Sequence, residues 1–442
     1  MDYRFRYFEE SVDLSKHPLR NVSSEMKANY YGALSYIIDQ CITPLGEDEA
    51  DSRYYIQKRM LLYSEAFCPH GAHEMGEAKA KQLISSFFKV PWKKKYRFSL
   101  ICDLEYLLGL DEFVSAGLAL VMPLVPNGRR KETNLLLETL ASLSNIPVPK
   151  RFVKVAPWID MYRENKDLFS ADERRILVTA NMSAGKSTLI NALIGKPIAR
   201  TAQSACTGSI CYLRNKPFED GHIHLFTDTL DLDASREDLR SYEWGDDVSI
   251  ATHFSSLVPI KNRICIIDTP GVDAALHREH SRMTHTAIEN EKCDLILYVV
   301  SPTKLGTDAE KKHLHWVASH LGPRKIIFIL NKLDDYKRTA DSVDESIAGL
   351  MRDLIEAGFS EPTICPISAY FSLLLKMKLA GQTLTEDEED EYQLYAKKFR
   401  RPEHDLTRFY PEDNTELGSE ELNLCKKSGL YGLEKIIYGG SL

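Results

Sequence analysis

The sequence predicts an α/β domain, a mostly parallel sheet flanked by helices, preceded by an all-α amino-terminal domain. Two observations predict this division. Up to about residue 150, apolar residues recur at three- and four-residue spacing. From residue 171 onward, short apolar runs alternate with helical patterns. We therefore divide the chain into an all-α domain over 1–150, a connector helix within 151–170 and an α/β domain over 171–442.

Helices are predicted throughout the first domain, separated by proline residues that cannot donate a backbone hydrogen bond. They span 23–42, 47–67, 77–90, 96–108, 112–124 and 131–143, with the connector over 158–169. Their aromatic side chains are interpreted as packing between helices. We find no catalytic constellation in this half.

The second domain combines buried strands with amphipathic helices. Strands are predicted over 176–179, 206–214, 222–226, 263–267, 294–300, 325–330 and 363–367, with 206–214 paired to 222–226. Thr307 and Glu310 form a capping-box pattern for a helix up to residue 320, and another helix covers 342–357. The segment 228–258 is interpreted as an insertion at the edge of the sheet, and the acidic run 386–391 as the start of a solvated helix.

The first strand leads into a phosphate-binding loop and a helix. The loop reads ANMSAGKST, from Ala180 to Thr188, with Ala180 where the usual pattern has Gly. In such a loop backbone NH groups wrap the β-phosphate, Lys186 reaches the β- and γ-phosphates and Ser187 binds Mg²⁺. The predicted nucleotide-binding residues here are Asn181, Met182, Ser183, Ala184, Gly185, Lys186, Ser187 and Thr188.

Three later segments specify the nucleotide. The strand 263–267 ends in DTPG. The Asp268 carboxylate can bind in the second coordination shell of the metal, and the Gly271 NH can contact the γ-phosphate. The strand 325–330 ends in NKLD. Asp334 there can accept two hydrogen bonds from guanine, Lys332 can lie against the base, and Asn331 completes the motif. Ser368 and Ala369 follow the last strand, where a backbone NH would meet guanine O6. Together these segments predict GTP or GDP with Mg²⁺.

Composition restricts the partners. The formal net charge is −8 over 442 residues. This negative charge disfavours nucleic acid as a binding partner. Nine cysteines without CxxC pairing fit a reducing cytoplasm. Cys68, His70 and His73 have metal-ligand spacing but lack a second ligand pair. The longest apolar run, 113–125, is too short to span a bilayer, so any membrane contact would be peripheral or through a partner.

The motifs SAGKSTLINALIG, Cys206-Thr207, DTPG and NKLD resemble the GTPase domain of dynamin-like proteins, particularly the bacterial ones, over about residues 171–375. This resemblance implies that Ser183 contacts the β,γ-bridging region. It also implies that Thr207 binds Mg²⁺ and positions the attacking water. The segment 428–434 resembles the start of the last helix of that domain. Catalysis is thus expected from Ser183, Lys186 and Thr207, and metal binding from Ser187, Thr207 and Asp268.

The sequence departs from dynamins at two positions, with Met182 in place of Gln and Thr269 in place of Leu. Dynamin-like proteins also continue into a helical stalk, which we do not find here. The helical amino-terminal half could substitute for it or regulate the GTPase, or the sequence could be truncated. Val272 stands where small GTPases place a water-orienting Gln, so we expect other groups to orient the water. Two interpretations of Arg200 remain open, an arginine finger and a mobile surface residue, and the second is favoured.

Three functions remain open at this stage. The first is a dynamin-like GTPase whose hydrolytic cycle drives self-association or membrane contact. Its hydrolysis is expected to be slow alone and to rise when the protein forms a homodimer or homo-oligomer through its nucleotide face. The second is a GTP-dependent switch whose helical domain binds a protein partner. The third, a ribosome- or RNA-associated assembly GTPase, fits least because the chain is acidic and has no basic RNA-binding module.

Overall fold

The computed structural model describes residues 8–46, 49–71, 75–109, 111–181, 183–199, 210–241, 248–270, 278–337, 341–413, 415 and 418–439. The chain divides into two units. The first contains Met1–Ala171 and Lys216–Ala234, and the second contains Asp172–Asn215 and Ser235–Leu442. The inclusion of Lys216–Ala234 in the first unit is not visible in the sequence pattern.

Among the described residues, seven α-helices with defined bounds build most of the first unit. They are α1 Ser24–Ile42, α2 Ala50–Phe67, α3 Glu77–Lys89, α4 Lys94–Leu108, α5 Asp111–Val121, α6 Asn127–Ala141 and α7 Ala156–Ser170. Their bounds lie within a few residues of the predicted ones. Helix α5 ends earlier than predicted and continues as the 3-10 turn Met122–Leu124, because Pro123 has no NH to extend the α-helical pattern.

The core of the first unit surrounds α4. Its Asp103 is fully buried and accepts hydrogen bonds from Trp158 Nε1 at 2.7 Å and from the Tyr63 hydroxyl at 3.2 Å. The Tyr30 hydroxyl donates to the same carboxylate. A buried carboxylate is stable only when several donors replace its water. Because Trp158 belongs to α7, the predicted connector helix is part of this core.

The strands are β1 Glu173–Ala180, β2 Cys211–Lys216, β3 His224–Phe226, β4 Leu230–Asp231, β5 Val248–His253, β6 Arg263–Asp268, β7 Leu295–Val300, β8 Lys325–Leu330 and β9 Thr363–Pro366. In the second unit their order is β5-β2-β6-β1-β7-β8-β9. The neighbours β6, β1, β7, β8 and β9 run parallel, and β2 is antiparallel to β6. The mostly parallel sheet is therefore confirmed.

One sequence expectation about this sheet is wrong. Strand β2 lies between β5 and β6, so it is not paired with 224–226; that strand, β3, forms an antiparallel pair with β4. The segment 228–258 does lie towards one edge of the strand order, as predicted, but it also contributes the strands β4 and β5, which were not predicted. Strand β5 reads VSIATH, which alternates polar and apolar residues too briefly to give a clear strand signal.

The helices of the second unit are α8 Lys186–Ile194, α9 Arg236–Ser241, α10 Arg278–Asn290, α11 Asp308–His320, α12 Val343–Ala357, α13 Ala369–Leu379, α14 Glu386–Phe399, α15 Glu420–Lys427 and α16 Leu430–Tyr438. Helix α14 starts at the acidic run, with a capping box between Thr385 and Glu388. Helix α11 starts as predicted, with Thr307 accepting from the Glu310 NH.

Strand register determines which residues share the ligand-facing edge. Val178 on β1 is opposite Asp268, the last residue of β6. Leu330 on β8 is opposite Val300 on one side and Pro366 on the other. The residues that follow β1, β6, β8 and β9 therefore meet at the carboxyl edge of the parallel strands, the usual place for a ligand in an open α/β sheet.

Two further properties bear on the setting of the protein. The cysteines among the described residues are free thiols, and all of them except Cys293 are buried, as predicted for small apolar side chains. Within the described ranges, no helix combines the length and apolarity that crossing a membrane requires.

Candidate nucleotide-binding site

The loop between β1 and α8 has the backbone of an anion-binding turn. Ser183 has φ +63° and Gly185 has φ +91°, and Gly185 is the N-cap of α8. Ala180 is the last residue of β1 and is absent from the positive-φ positions, so a side chain is tolerated where the usual motif has Gly. The amides of the first turn of α8 have no partner within the helix, which suits a phosphate.

Gly185 is required by its surroundings as well as by its backbone angle. A Cβ on this residue would lie 2.3 Å from Nδ2 of Asn331, far inside van der Waals contact. Asn331 in turn donates from Nδ2 to the carbonyl of Ala184 over 3.1 Å. The loop after β8 thus holds the phosphate loop directly through one side-chain amide.

Lys186 and Asp268 form an ion pair at the mouth of this loop. Their side chains are 12% and 15% exposed, so the pair is largely shielded from solvent while remaining accessible to a ligand. Ser187 and Thr188 follow on the first turn of α8 and are half-buried. The predicted phosphate-contacting Lys186 of α8 and the predicted metal-binding Asp268 of β6 are therefore in direct contact.

Glu310, which the sequence pattern identifies only as part of a helix cap, contacts the phosphate loop. Its carboxylate is 2% exposed and accepts from Asn181 Nδ2 at 2.5 Å and from the Tyr298 hydroxyl at 2.9 Å. Burial raises the pKa of Glu310. Glu310 on α11 therefore fixes Asn181, the second residue of the phosphate loop. The capping pattern reveals the helix start but not this nonlocal contact.

Asn331 connects the phosphate loop with the segment that follows β9. Besides its contact with Ala184, its Oδ1 accepts from the NH of Ala369 over 3.0 Å. The NH of Ser368 donates to the carbonyl of Ser428 over 3.0 Å. Both amides expected near guanine O6 are thus hydrogen-bonded within the protein. A base oxygen at this position would share the Ala369 NH with Asn331.

Asp334 sits in the 3-10 turn Leu333–Asp335 and is 9% exposed. Its Oδ1 accepts from the Ser368 hydroxyl over 2.6 Å. Burial raises the pKa of Asp334, and the Ser368 hydrogen bond opposes that rise. The carboxylate is therefore held in a confined position with one oxygen anchored, which suits an acceptor for a flat ligand with adjacent NH donors.

Two lysines support this turn. Lys332 has φ +65°, and its Cε lies 3.8 Å from where a Cβ on Gly185 would be, so its stem extends towards the phosphate loop. Lys398 donates from Nζ to the carbonyl of Asp334 over 2.6 Å and to that of Tyr336. Burial lowers the pKa of Lys398. Lys398 lies on α14, far away in sequence, and belongs to none of the nucleotide-binding motifs.

Some predicted positions lie outside the described residues: Met182, Arg200, Thr207, Gly271 and Val272. His73 of the CPHGAH segment is also outside them, and Cys68 is buried. Over the described part of the chain, no group of three or more His, Cys, Asp and Glu residues could hold a metal ion.

Comparison with known proteins gives one family. Residues 176–333 match the model of the Dynamin family. The chain is 27% identical over 207 residues to the probable transmembrane GTPase FZO-like, chloroplastic, of Arabidopsis thaliana, covering 47% of this chain. It is 25% identical over 209 residues to the bacterial dynamin-like protein of Nostoc punctiforme, covering 42% of this chain.

These alignments cover only 20% of the Arabidopsis protein and 29% of the Nostoc protein. The chain therefore spans less than a third of the length of either relative. Among solved structures, a chain described as part of an oligomerised bacterial dynamin pair is 15% identical. That match covers 90% of this chain and 74% of the other, with a TM-score of 0.35.

Proposed function

Because residues 176–333 match the model of the Dynamin family, we propose that this protein binds GTP and hydrolyses it to GDP and phosphate with Mg²⁺. The observation that carries the proposal is the position of Asn331. Its amide bonds to the phosphate loop at Ala184 and to Ala369 after β9. One side chain thus joins the phosphate end of the site to its base end.

The base end favours guanine. Asp334 is nearly buried and has one oxygen engaged by Ser368, and a buried carboxylate needs further donors. Guanine N1 and N2 supply two adjacent NH donors, whereas adenine supplies none in that arrangement. A site built to pair with such donors rejects the analogue lacking them by roughly 10⁴ to 10⁵.

The phosphate end fits a Mg²⁺-nucleotide. The Ser187 hydroxyl and the Asp268 carboxylate are hard oxygen donors of the kind that Mg²⁺ prefers. Asp268 ends β6 opposite Val178 of β1, and β1 leads through the phosphate loop to Ser187 in the first turn of α8. When bound, the metal would neutralise charge on the phosphate oxygens. The Lys186 ammonium, paired with Asp268 in this structure, would reach the β- and γ-phosphates.

We further propose that hydrolysis is slow for the isolated protein and rises on self-association through the nucleotide face. Val272 replaces the water-orienting Gln of small GTPases, and Thr207 is our candidate to orient the attacking water. A group from a second copy would supply the remaining stabilisation of the transition state. Specific activity should then increase with protein concentration, whereas a constant specific activity would favour a switch without self-activation.

Nucleotide selectivity tests the proposal. Competition of GTP, ATP and XTP against a fluorescent GDP analogue should give binding of GTP and not ATP to the unmodified protein. Asp334→Asn should weaken GTP binding and favour the xanthine nucleotide, because the amide exchanges an acceptor for a donor. The matched control is Asp335→Asn, since Asp335 is the exposed neighbour on the same turn. Equal affinity for ATP and GTP would overturn the assignment.

A further inference from the structure

Trp92 in the first unit has an unusual environment. Its side chain is 83% exposed, the highest value among the large apolar side chains in the described ranges. By contrast, Trp158 in the same unit is 1% exposed. A tryptophan has the largest apolar surface of any residue, so leaving it in water forfeits much hydrophobic stabilisation. Its exposure therefore leaves a large apolar surface accessible to a binding partner.

Hydrogen bonds and a stacked aromatic pair fix the turn that carries Trp92. The NH of Val90 bonds to the carbonyl of Ser86 at 3.0 Å, and the NH of Lys93 bonds to the carbonyl of Val90 at 3.2 Å. Lys93 Nζ also donates to Ser86 Oγ over 2.9 Å. Beneath the turn, Phe87 and Tyr96 stack with ring centroids 5.3 Å apart. Trp92 is thus presented by an ordered backbone between α3 and α4.

Cations surround this tryptophan. Lys89 ends α3, and Lys94 and Lys95 begin α4; all three are exposed. None of the three has an ion-pair partner among the described residues. We call residues 89–95 the Trp92 turn. Although the whole chain carries a net charge of −8, this turn contains lysines but no acidic residue.

A second basic segment lies next to the first turn of α4. Arg97 on α4 pairs with Glu132 on α6 at 3.0 Å, and Arg129 pairs with the same carboxylate at 3.5 Å. These contacts bring the amino-terminal ends of α4 and α6 together. Arg130 and Lys131, which flank this junction, are exposed. Exposed basic residues therefore lie on α3, on the first turn of α4 and on the first turns of α6.

We propose that the Trp92 turn and the start of α6 dock on an anionic lipid bilayer, with Trp92 entering the headgroup region. This surface lies in the helical unit and is distinct from the nucleotide site. Tryptophan is favoured at the boundary between headgroups and acyl chains, and clustered lysines and arginines are attracted to anionic headgroups. Lysine stems can lie along the apolar region while their ammonium groups stay among the phosphates.

This arrangement fits an anionic bilayer as the binding partner better than it fits an acidic protein partner. A protein hot spot places its tryptophan in a packed, water-excluding pocket ringed by other contacts, whereas Trp92 projects from a tight turn with cations on both sides. A membrane accepts one projecting aromatic ring without a shaped pocket. The chain's acidic balance likewise does not favour nucleic acid.

Vesicle co-sedimentation of the full chain tests this surface. Binding should be strong to phosphatidylcholine vesicles containing phosphatidylserine, weak to pure phosphatidylcholine, and reduced by salt. Trp92→Ala should reduce binding, and Lys94→Glu with Lys95→Glu should reduce it by about tenfold or more. Matched controls are Leu394→Ala, an apolar residue 62% exposed on α14, and Lys261→Glu with Lys312→Glu, both exposed.

Tryptophan fluorescence gives a direct second readout. Brominated phosphatidylcholine in the anionic vesicles should quench the emission of the unmodified protein, and Trp92→Phe should remove that quenching while retaining most of the binding. GTP hydrolysis in solution should be unchanged in these variants, because they lie outside the nucleotide site. Absence of binding to anionic vesicles would overturn the proposal. Equal losses of vesicle binding in the control variants would also overturn it, as would binding of the protein to nucleic acid and not to lipid.

Discussion

The hydroxyl of Ser368 donates to Oδ1 of Asp334 over 2.6 Å, which ties the end of β9 to the turn after β8. Both residues are buried. The hydrogen bond lowers the pKa of Asp334, against the larger effect of burial that raises it. Ser368 therefore helps to keep ionised the carboxylate that we propose accepts from guanine.

Ser368→Ala should weaken guanine nucleotide binding. Removing the donor leaves a buried acceptor unsatisfied, which costs about 1–3 kcal/mol, or roughly thirtyfold in affinity at the middle of that range. The loss should be larger at acidic pH, because the pKa of Asp334 rises further without the serine. Calorimetric titration with GDP at two pH values measures this, and Ser360→Ala, at an exposed serine, is the control. An unchanged affinity at both pH values would mean that Asp334 does not contact the base.

Lys186→Ala should abolish hydrolysis and greatly weaken GTP binding while the fold persists. The ammonium faces the ligand-binding edge and pairs with Asp268, so its loss removes the charge that would meet the β- and γ-phosphates. Phosphate release and circular dichroism on the same preparation measure the two effects. Lys312→Ala, at an exposed lysine on α11, should behave like the unmodified protein. Normal turnover by Lys186→Ala would contradict the phosphate-loop assignment.

The parts of the site that the sequence predicted share one property. Asp268 and Asn331 each end or follow a continuous apolar strand, and parallel strands necessarily place their carboxyl ends at one edge. Local sequence patterns therefore suffice to predict that these residues lie close together. Glu310 and Lys398 were missed because their roles depend on contacts with Asn181 and Asp334 that no local spacing encodes.

The assignment of Lys216–Ala234 to the first unit was missed for a related reason. Lys216 is fully buried and its Nζ contacts both carboxylate oxygens of Asp220, at 2.8 and 2.7 Å. The hydroxyl of Ser11 donates to the carbonyl of Phe218 over 2.7 Å. A charged residue next to a turn is normally read as exposed. Only the tertiary structure shows that these polar groups are partners inside the first unit.

Gly185→Ala should destroy nucleotide binding and lower stability. The φ of +91° costs a side-chain-bearing residue about 1–3 kcal/mol, and the new Cβ would displace the Asn331 amide. Thermal unfolding and GDP titration measure the two losses. The matched control is Gly349→Ala within α12, where the nearest atom to the new Cβ is Arg352 Nη2 at 3.9 Å. That variant should be as stable as the parent or up to about 1 kcal/mol more stable. A Gly185→Ala protein that binds GDP normally would show that the loop is not a tight phosphate cradle.

Acid should destabilise the second unit through His313. This side chain is 5% exposed, and neither ring nitrogen has a hydrogen-bond partner among the described residues. Burial lowers its pKa from 6.5 to about 4, with His285 nearby adding to the effect. Because the unfolded chain takes up the proton more readily, the stability associated with neutral His313 is present above pH 6.5 and is lost as the pH falls towards 4.

At about 1.4 kcal/mol per pKa unit, this shift corresponds to roughly 3 kcal/mol between pH 6.5 and 4. His313→Phe cannot titrate, so its free energy of unfolding should fall less than that of the parent over this range. Urea unfolding at a series of pH values measures the difference between the two curves. His315→Gln, at an exposed histidine on the same helix, should keep the parent's slope. If the parent and His313→Phe lose stability in parallel, His313 is protonated in the folded protein and its surroundings are more polar than its contacts indicate.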